Sequence, residues 1–325
     1  MIRRIAAVVA LVASPALLPA QSVSPGCATS IVQDACQKAA DIFTLLAPQL
    51  GAVVAGGNAT PGQAGPIGGF GHFSLGLRAN GLRADVPDVR QLTLQPGAAE
   101  RGTIETTTQW VGLPVLDADL GVFRGFPVGS NFVGGVDLLL SGTWLPSFDA
   151  NGVSLDLPGG GMHVGMGARL GILRESFNAP GIDLTVSRNG LPTANVTALT
   201  DRGDTLRVTG ARVRVDSWRL VAGKSFLAVA LAAGAGQDRY RSNASVAATV
   251  QVPGDVALRP DPVDMQQRLT RTNVFANVAL NAAPLRLVGE IGRAWGGTLE
   301  TYNSFEGVRA DDARLYGSVG LRIGF

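Results

Sequence analysis

The scarce reactive side chains of this 325-residue chain are two histidines, His72 and His163, and two cysteines, Cys27 and Cys36. Acid–base catalysis most often uses a histidine, here one set beside a carboxylate, and the sequence offers one such pairing, His163 with Asp137 on the neighbouring predicted strand. No Gly-x-Ser-x-Gly elbow accompanies it. Gly159-Gly160-Gly161 lacks the Lys-Ser/Thr ending of a phosphate loop, and two cysteines without a histidine cluster make no metal site. The expectation is a non-enzyme without cofactor or metal, with His163/Asp137 as its one catalytic candidate.

The more numerous chemistry is charge at alternate positions. Arg78, Asp117, Asp119, Asp137, His163, Arg169, Asp183, Arg212, Arg214, Glu290 and Arg322, with His72 at a strand start, fall on the polar side of segments whose other side is apolar. In a water-filled lumen such residues select which solutes pass. In a narrow barrel they pair and fill the interior. Both readings stay open.

The segments that must carry these residues alternate at period two and are punctuated by 43 glycines, which predicts strands and tight turns. Ten are predicted, beginning with 72–85, 111–124, 132–145 and 162–174. The fifth starts at Ile182. The sixth sets Ala211, Val213 and Val215 against Arg212, Arg214 and Asp216, with a bulge at 216–217 to return Trp218, Leu220 and Ala222 to the apolar face. The seventh runs from Leu227 to Ala235, and the last three are 270–281, 285–295 and 314–325. Segments 103–110 and 193–200 would raise the number to twelve or fourteen. The Pro- and Asp-bearing stretch from Ser242 to Met265 is expected to be the longest external loop. A one-residue slip would turn Asp117, Asp119, Asp137 and Arg169 outward together, at about 2 to 4 kcal/mol each at mid-membrane. Only Arg293 breaks the pattern, and its strand is expected to have left the hydrocarbon there.

Ahead of the strands, Ile31, Ala35, Ala39, Ile42, Phe43, Leu46 and Leu50 follow a helical period. This helix, within residues 21–69, is expected to cover the periplasmic end of the 70–325 barrel, with a lumen plug and an interfacial helix as alternatives. Met1–Ala20 has the Arg3-Arg4 start and apolar stretch of a secretory signal, so the mature chain is expected to begin near Gln21. Without Arg3 and Arg4 the basic and acidic residues balance at 25 each, which argues against a nucleic-acid surface. Export into an oxidising compartment predicts a Cys27–Cys36 disulfide, with a lipid anchor on Cys27 as the alternative.

The last strand, Tyr316 to Phe325, places Leu321, Ile323 and a terminal Phe325 on one face. In this it resembles the closing strand of bacterial outer-membrane β-barrels. The resemblance implies an all-β, transmembrane, antiparallel up-and-down barrel of about 10–12 strands in the outer membrane, in contact with its lipid. It also implies assembly by the barrel-insertion machinery through the Phe325 terminus. The amino-terminal helix loosely resembles the plug of FadL-like and porin-like transporters, at the level of architecture. The expected function is a passive channel or transporter for small solutes. The alternative is a structural or surface-interaction barrel working through its external loops, and a soluble β-sandwich would leave Phe325 unexplained.

Overall fold

The computed structural model describes residues 22–57, 64–129, 131–150, 152–252, 254, 256–282 and 284–325. The proposed signal and the Gln21 start lie outside them. Ten strands form the wall: β1 (Phe73–Pro87), β2 (Thr106–Phe123), β3 (Gly135–Trp144), β4 (Met162–Leu173), β5 (Gly181–Gly190), β6 (Thr205–Phe226), β7 (Val229–Thr249), β8 (Val263–Ala282), β9 (Leu285–Trp295) and β10 (Arg314–Gly324). Each pairs antiparallel with the next, including β5 with β6. β10 returns to β1 from Ser74↔Gly324 to Leu82↔Tyr316. Beyond that ladder Phe73 and Phe325 exchange two backbone hydrogen bonds of 3.1 and 2.9 Å, and their rings stack at 4.9 Å. The barrel is closed and leaves no edge.

Alternation sets which side chains meet lipid. Leu75, Leu77, Leu120, Leu138, Leu140, Leu170, Leu231, Val278, Leu287 and Leu321 are exposed on the outer wall, and their sequence neighbours Ser74, Asp119, Leu139, Arg169, Ala230 and Arg322 are buried inside. All four tryptophans, Trp110, Trp144, Trp218 and Trp295, face outward. They lie toward the end of the barrel that carries the longer connections 88–105, 145–161 and 296–313. Phe73, Phe123, Phe126, Phe226 and Phe325 face outward at the other end, where Leu227–Ala228 alone joins β6 to β7. Two aromatic girdles around an apolar belt are the surface of a barrel in lipid, and brief turns mark its periplasmic side. The protein is an outer-membrane β-barrel.

The wall is uneven in height. β6, β7 and β8 hold 22, 21 and 20 residues, against 10 and 12 for β3 and β4. The stretch expected to be the longest loop, Ser242 to Met265, is therefore strand at both ends, and the loop shrinks to 250–262. Segment 103–110 mostly prolongs β2 outward. Ala194–Leu199 pairs with the outer part of β6 and with Val153–Asp156. These segments extend the sheet above the membrane and add no strand to the barrel.

The helix α1 (Gln33–Ala55) stands inside this wall. Its first half packs Ala35, Ala39, Ile42 and Phe43 against Leu94, Ile104, Leu206, Val246 and Phe305 in an external cap. Its last turn, Ala52–Ala55, lies among Leu82, Leu113, Val213, Val215, Phe275 and Tyr316 in the upper lumen. The expected cover over the periplasmic end is thus overturned: α1 enters from outside. Asp34 holds the backbone N–H groups of Gln95 and Glu100, and Asp41 those of Tyr302 and Asn303, which ties the helix to two external loops. The Cys27–Cys36 disulfide, with Cα atoms 5.6 Å apart, fastens the preceding segment to the first helical turns. Pro48 removes the N–H that would bond Thr44, and the Gln267 side-chain amide of β8 donates to the Thr44 carbonyl instead, at 3.1 Å.

Candidate functional site: the plugged lumen

A helix ends with carbonyl groups that have no partner and with a partial negative charge. The wall answers both at the tip of α1. Asn80 donates to Val53 O at 3.0 Å and Arg78 to Gly56 O at 3.0 Å, while Arg219 donates to Ala55 O. Arg78 is itself forked onto Asp117 at 2.8 and 3.0 Å. Arg219 lies 3.7 Å from Asp238 and 3.9 Å from Glu290, with its guanidinium over the Phe275 ring. Asp238 accepts further bonds from Ser217 and Asn273, at 2.6 and 2.8 Å. Gly57 follows with φ +80, and a Cβ there would come within 2.4 Å of Arg78 Nη1. The remaining space beside the tip, between Ala55, Gly57, Arg78, Thr185 and Arg219, is about 10 Å³, close to the room one water needs.

Nearer the periplasm, charges pair between nearby strands along the wall, and a strap runs over them. Arg322 pairs with Asp119 and donates to Ser74, and Arg169 donates to Asp137 at 2.6 and 2.9 Å. Residues 64–71, ahead of β1, pass over these groups. Gly65 N–H donates to Asp183 at 2.8 Å and Ile67 N–H to Asp137 at 3.1 Å. Pro66 sits where a Cβ on Gly135 or Gly171 would be, within 2.4 and 2.3 Å, so only glycine fits under the strap.

Arg78, Asp117, Asp119, Asp137, Arg169, Asp183, Glu290 and Arg322 are all buried inside the barrel, none more than 7% exposed. Arg212 and Arg214 are not. Both are exposed on the outer wall, and Val213 and Val215 face inward. No bulge occurs at 216–217: the β6–β7 register runs unbroken from Arg212↔Asn243 to Phe226↔Val229, and its irregularity lies at 209–212. Apolar side chains mark the lipid face only within the hydrocarbon. Above it, Val213 and Val215 instead cover the apolar tip of α1.

His163 opposes Thr143, whereas Asp137 opposes Arg169 six residues along β3, a separation of roughly 20 Å. The acid–base pair is therefore not assembled, and His72 is exposed just ahead of β1. Among the described residues no cluster of three or more His, Cys, Asp or Glu is placed to hold a metal. Sequence reasoning missed Asn80, Arg219, Asp238 and Asp41. The outward Trp218 and Leu220 were the available signal for Arg219, since the residue between them must face in. Outside the membrane, burial holds the Asp41 carboxyl above its ordinary 3.8, against the hydrogen bonds it accepts from Asn303, Tyr302 and Gln37.

No protein-family model matches the sequence, and no curated protein matches it. Among solved structures the chain is similar to the toluene transporter TodX of Pseudomonas putida, with 12% identity over 83% of this chain and 97% of that one, at a TM-score of 0.32. It is also similar to the anion-selective porin of Comamonas acidovorans, with 11% identity over 78% and 98% and a TM-score of 0.19. Superpositions this loose carry no weight for function. The barrel rests on its own closed ladder.

Proposed function

We propose that this barrel is a gated passive transporter of small solutes, and that α1 is its gate. The observation that carries the reading is what fills the lumen. A structural barrel of this size fills with the side chains of its own strands, but here the upper lumen holds a separate helix, whose body is about 10 Å wide. Withdrawing α1 would leave the upper lumen open to that width. The grip on its tip is a set of hydrogen bonds to backbone carbonyls, which can be released without unfolding a strand. Once α1 and the 64–71 strap move, Arg78, Asp117, Asp119, Asp137, Arg169, Asp183, Glu290 and Arg322 become the lining, below an apolar upper section.

The test is solute flux into liposomes holding the refolded chain from Gln21. Arg219→Gln, which loosens the tip, should raise uptake of small solutes at least several-fold over the parent protein. Equal and negligible flux from both, with folded barrels, would refute the gate. A second reading, a surface-interaction barrel, is favoured by one observation: the external cap has an apolar core of its own, from Leu94 and Ile104 to Val246 and Phe305. Assembly through the Phe325 terminus belongs to the same proposal, and its removal should lower the yield of inserted barrel.

A further inference from the structure

The outer wall carries an arginine cluster that neither the fold nor the gate uses. Arg214, Arg241 and Arg268 are directly opposite one another on β6, β7 and β8, all exposed and outward. Like charges side by side across strands repel. Arg188 and Arg239 flank Asp216 in the adjacent row. Asp216 pairs with Arg188 at 2.6 Å and with Arg241 at 3.4 Å. Among the described residues no other carboxylate forms an ion pair with the cluster.

Position along the strand gives the cluster its meaning. On β6 it begins two residues outside Trp218, so it sits just beyond the external aromatic girdle, at the headgroup level. The outer wall is concave beneath it. A groove of about 1040 Å³ runs obliquely from Leu75 through Leu140 and Met166 to Arg188 and Arg239, apolar over most of its length and cationic at its outer end. An occupant must therefore lie in the membrane, be apolar along its body and carry strong anionic oxygens at the external headgroup level.

We infer that this face binds a phosphorylated, acylated glycolipid of the outer leaflet, with phosphate on Arg241, Arg268 and Arg214 and acyl chains in the groove below. Arginine forks onto phosphate oxygens through paired N–H groups, and an anion between the three side chains relieves their mutual repulsion. Asp216 competes for the same cations.

The experiment uses the full mature chain in mild detergent, with lipid A as probe and native mass spectrometry as readout. The parent protein should retain one lipid A through detergent exchange and should not retain phosphatidylethanolamine. R241Q/R268Q should retain less than a tenth as much, R293Q, which changes an outward arginine on β9, should match the parent, and D216N should retain more. Heat-modifiable migration on gels verifies each barrel, and dephosphorylated lipid A on the parent protein tests the same contact without a variant. Equal retention by R241Q/R268Q, or equal binding of dephosphorylated lipid A, would overturn the inference. Full displacement by inorganic phosphate at matching concentration would overturn it too, in favour of a free-anion site.

Discussion

Arg219 is the residue on which closure of the lumen turns. It touches a helix carbonyl, two carboxylates and an aromatic face at once. Arg219→Gln leaves Asp238 buried without its cation, and removing one partner from a buried pair costs about 3 to 5 kcal/mol. Urea unfolding in micelles should show a loss of that order, and Arg219→Lys, which keeps the charge but not the fork, a smaller one. Asp41 supplies the pH dependence. Its folded carboxyl titrates above 3.8, so between those values the native state holds more protons than the unfolded one, and stability falls as pH rises through the window. The unfolding midpoint should rise on acidification toward 3.8, and Asp41→Asn should flatten that slope. At this scale the sequence was partly legible. Period two placed Arg78, Asp117 and Arg169 inside, but the inward direction of Val213 and Val215 depended on where α1 sits, and no pattern local to β6 carries that.

The helix is the element whose place the sequence left open. Its apolar period was plain, and its broad face is what a helix buried on most sides requires. Its site was not, because the contacts that decide it, Asp34 to the 95–100 loop and Asp41 to 302–303, join residues far apart in the chain. Two changes test the seating. A Cβ on Gly51 would come within 2.7 Å of the Tyr240 ring, so Gly51→Ala should push the lower half of α1 from the wall and lower the unfolding midpoint in urea relative to the parent. Reducing Cys27–Cys36 removes a short loop closure worth on the order of 2 to 3 kcal/mol. Its loss should lower the unfolding midpoint and free the segment before α1 without opening the barrel.

Over the whole molecule, the strand ladder was the most legible feature. All ten predicted strands occur, because a lipid-facing wall must alternate and a slip would put several charges into hydrocarbon at about 2 to 4 kcal/mol each. The extra height of β6, β7 and β8 was not foreseen, since above the membrane the outward face becomes polar and alternation loses its sign. That height carries the cap in which the first half of α1 is held, so wall, cap and plug act as one device.

Single-channel conductance in planar bilayers tests the central claim, that α1 closes an otherwise helix-wide lumen. The account predicts brief, rare openings from the parent chain and long open steps from Arg78→Gln combined with Arg219→Gln, with ion preference altered when Asp117 and Asp119 are both changed to Asn. A steadily open parent channel, or silence from the double arginine variant shown to be inserted and folded, would contradict it.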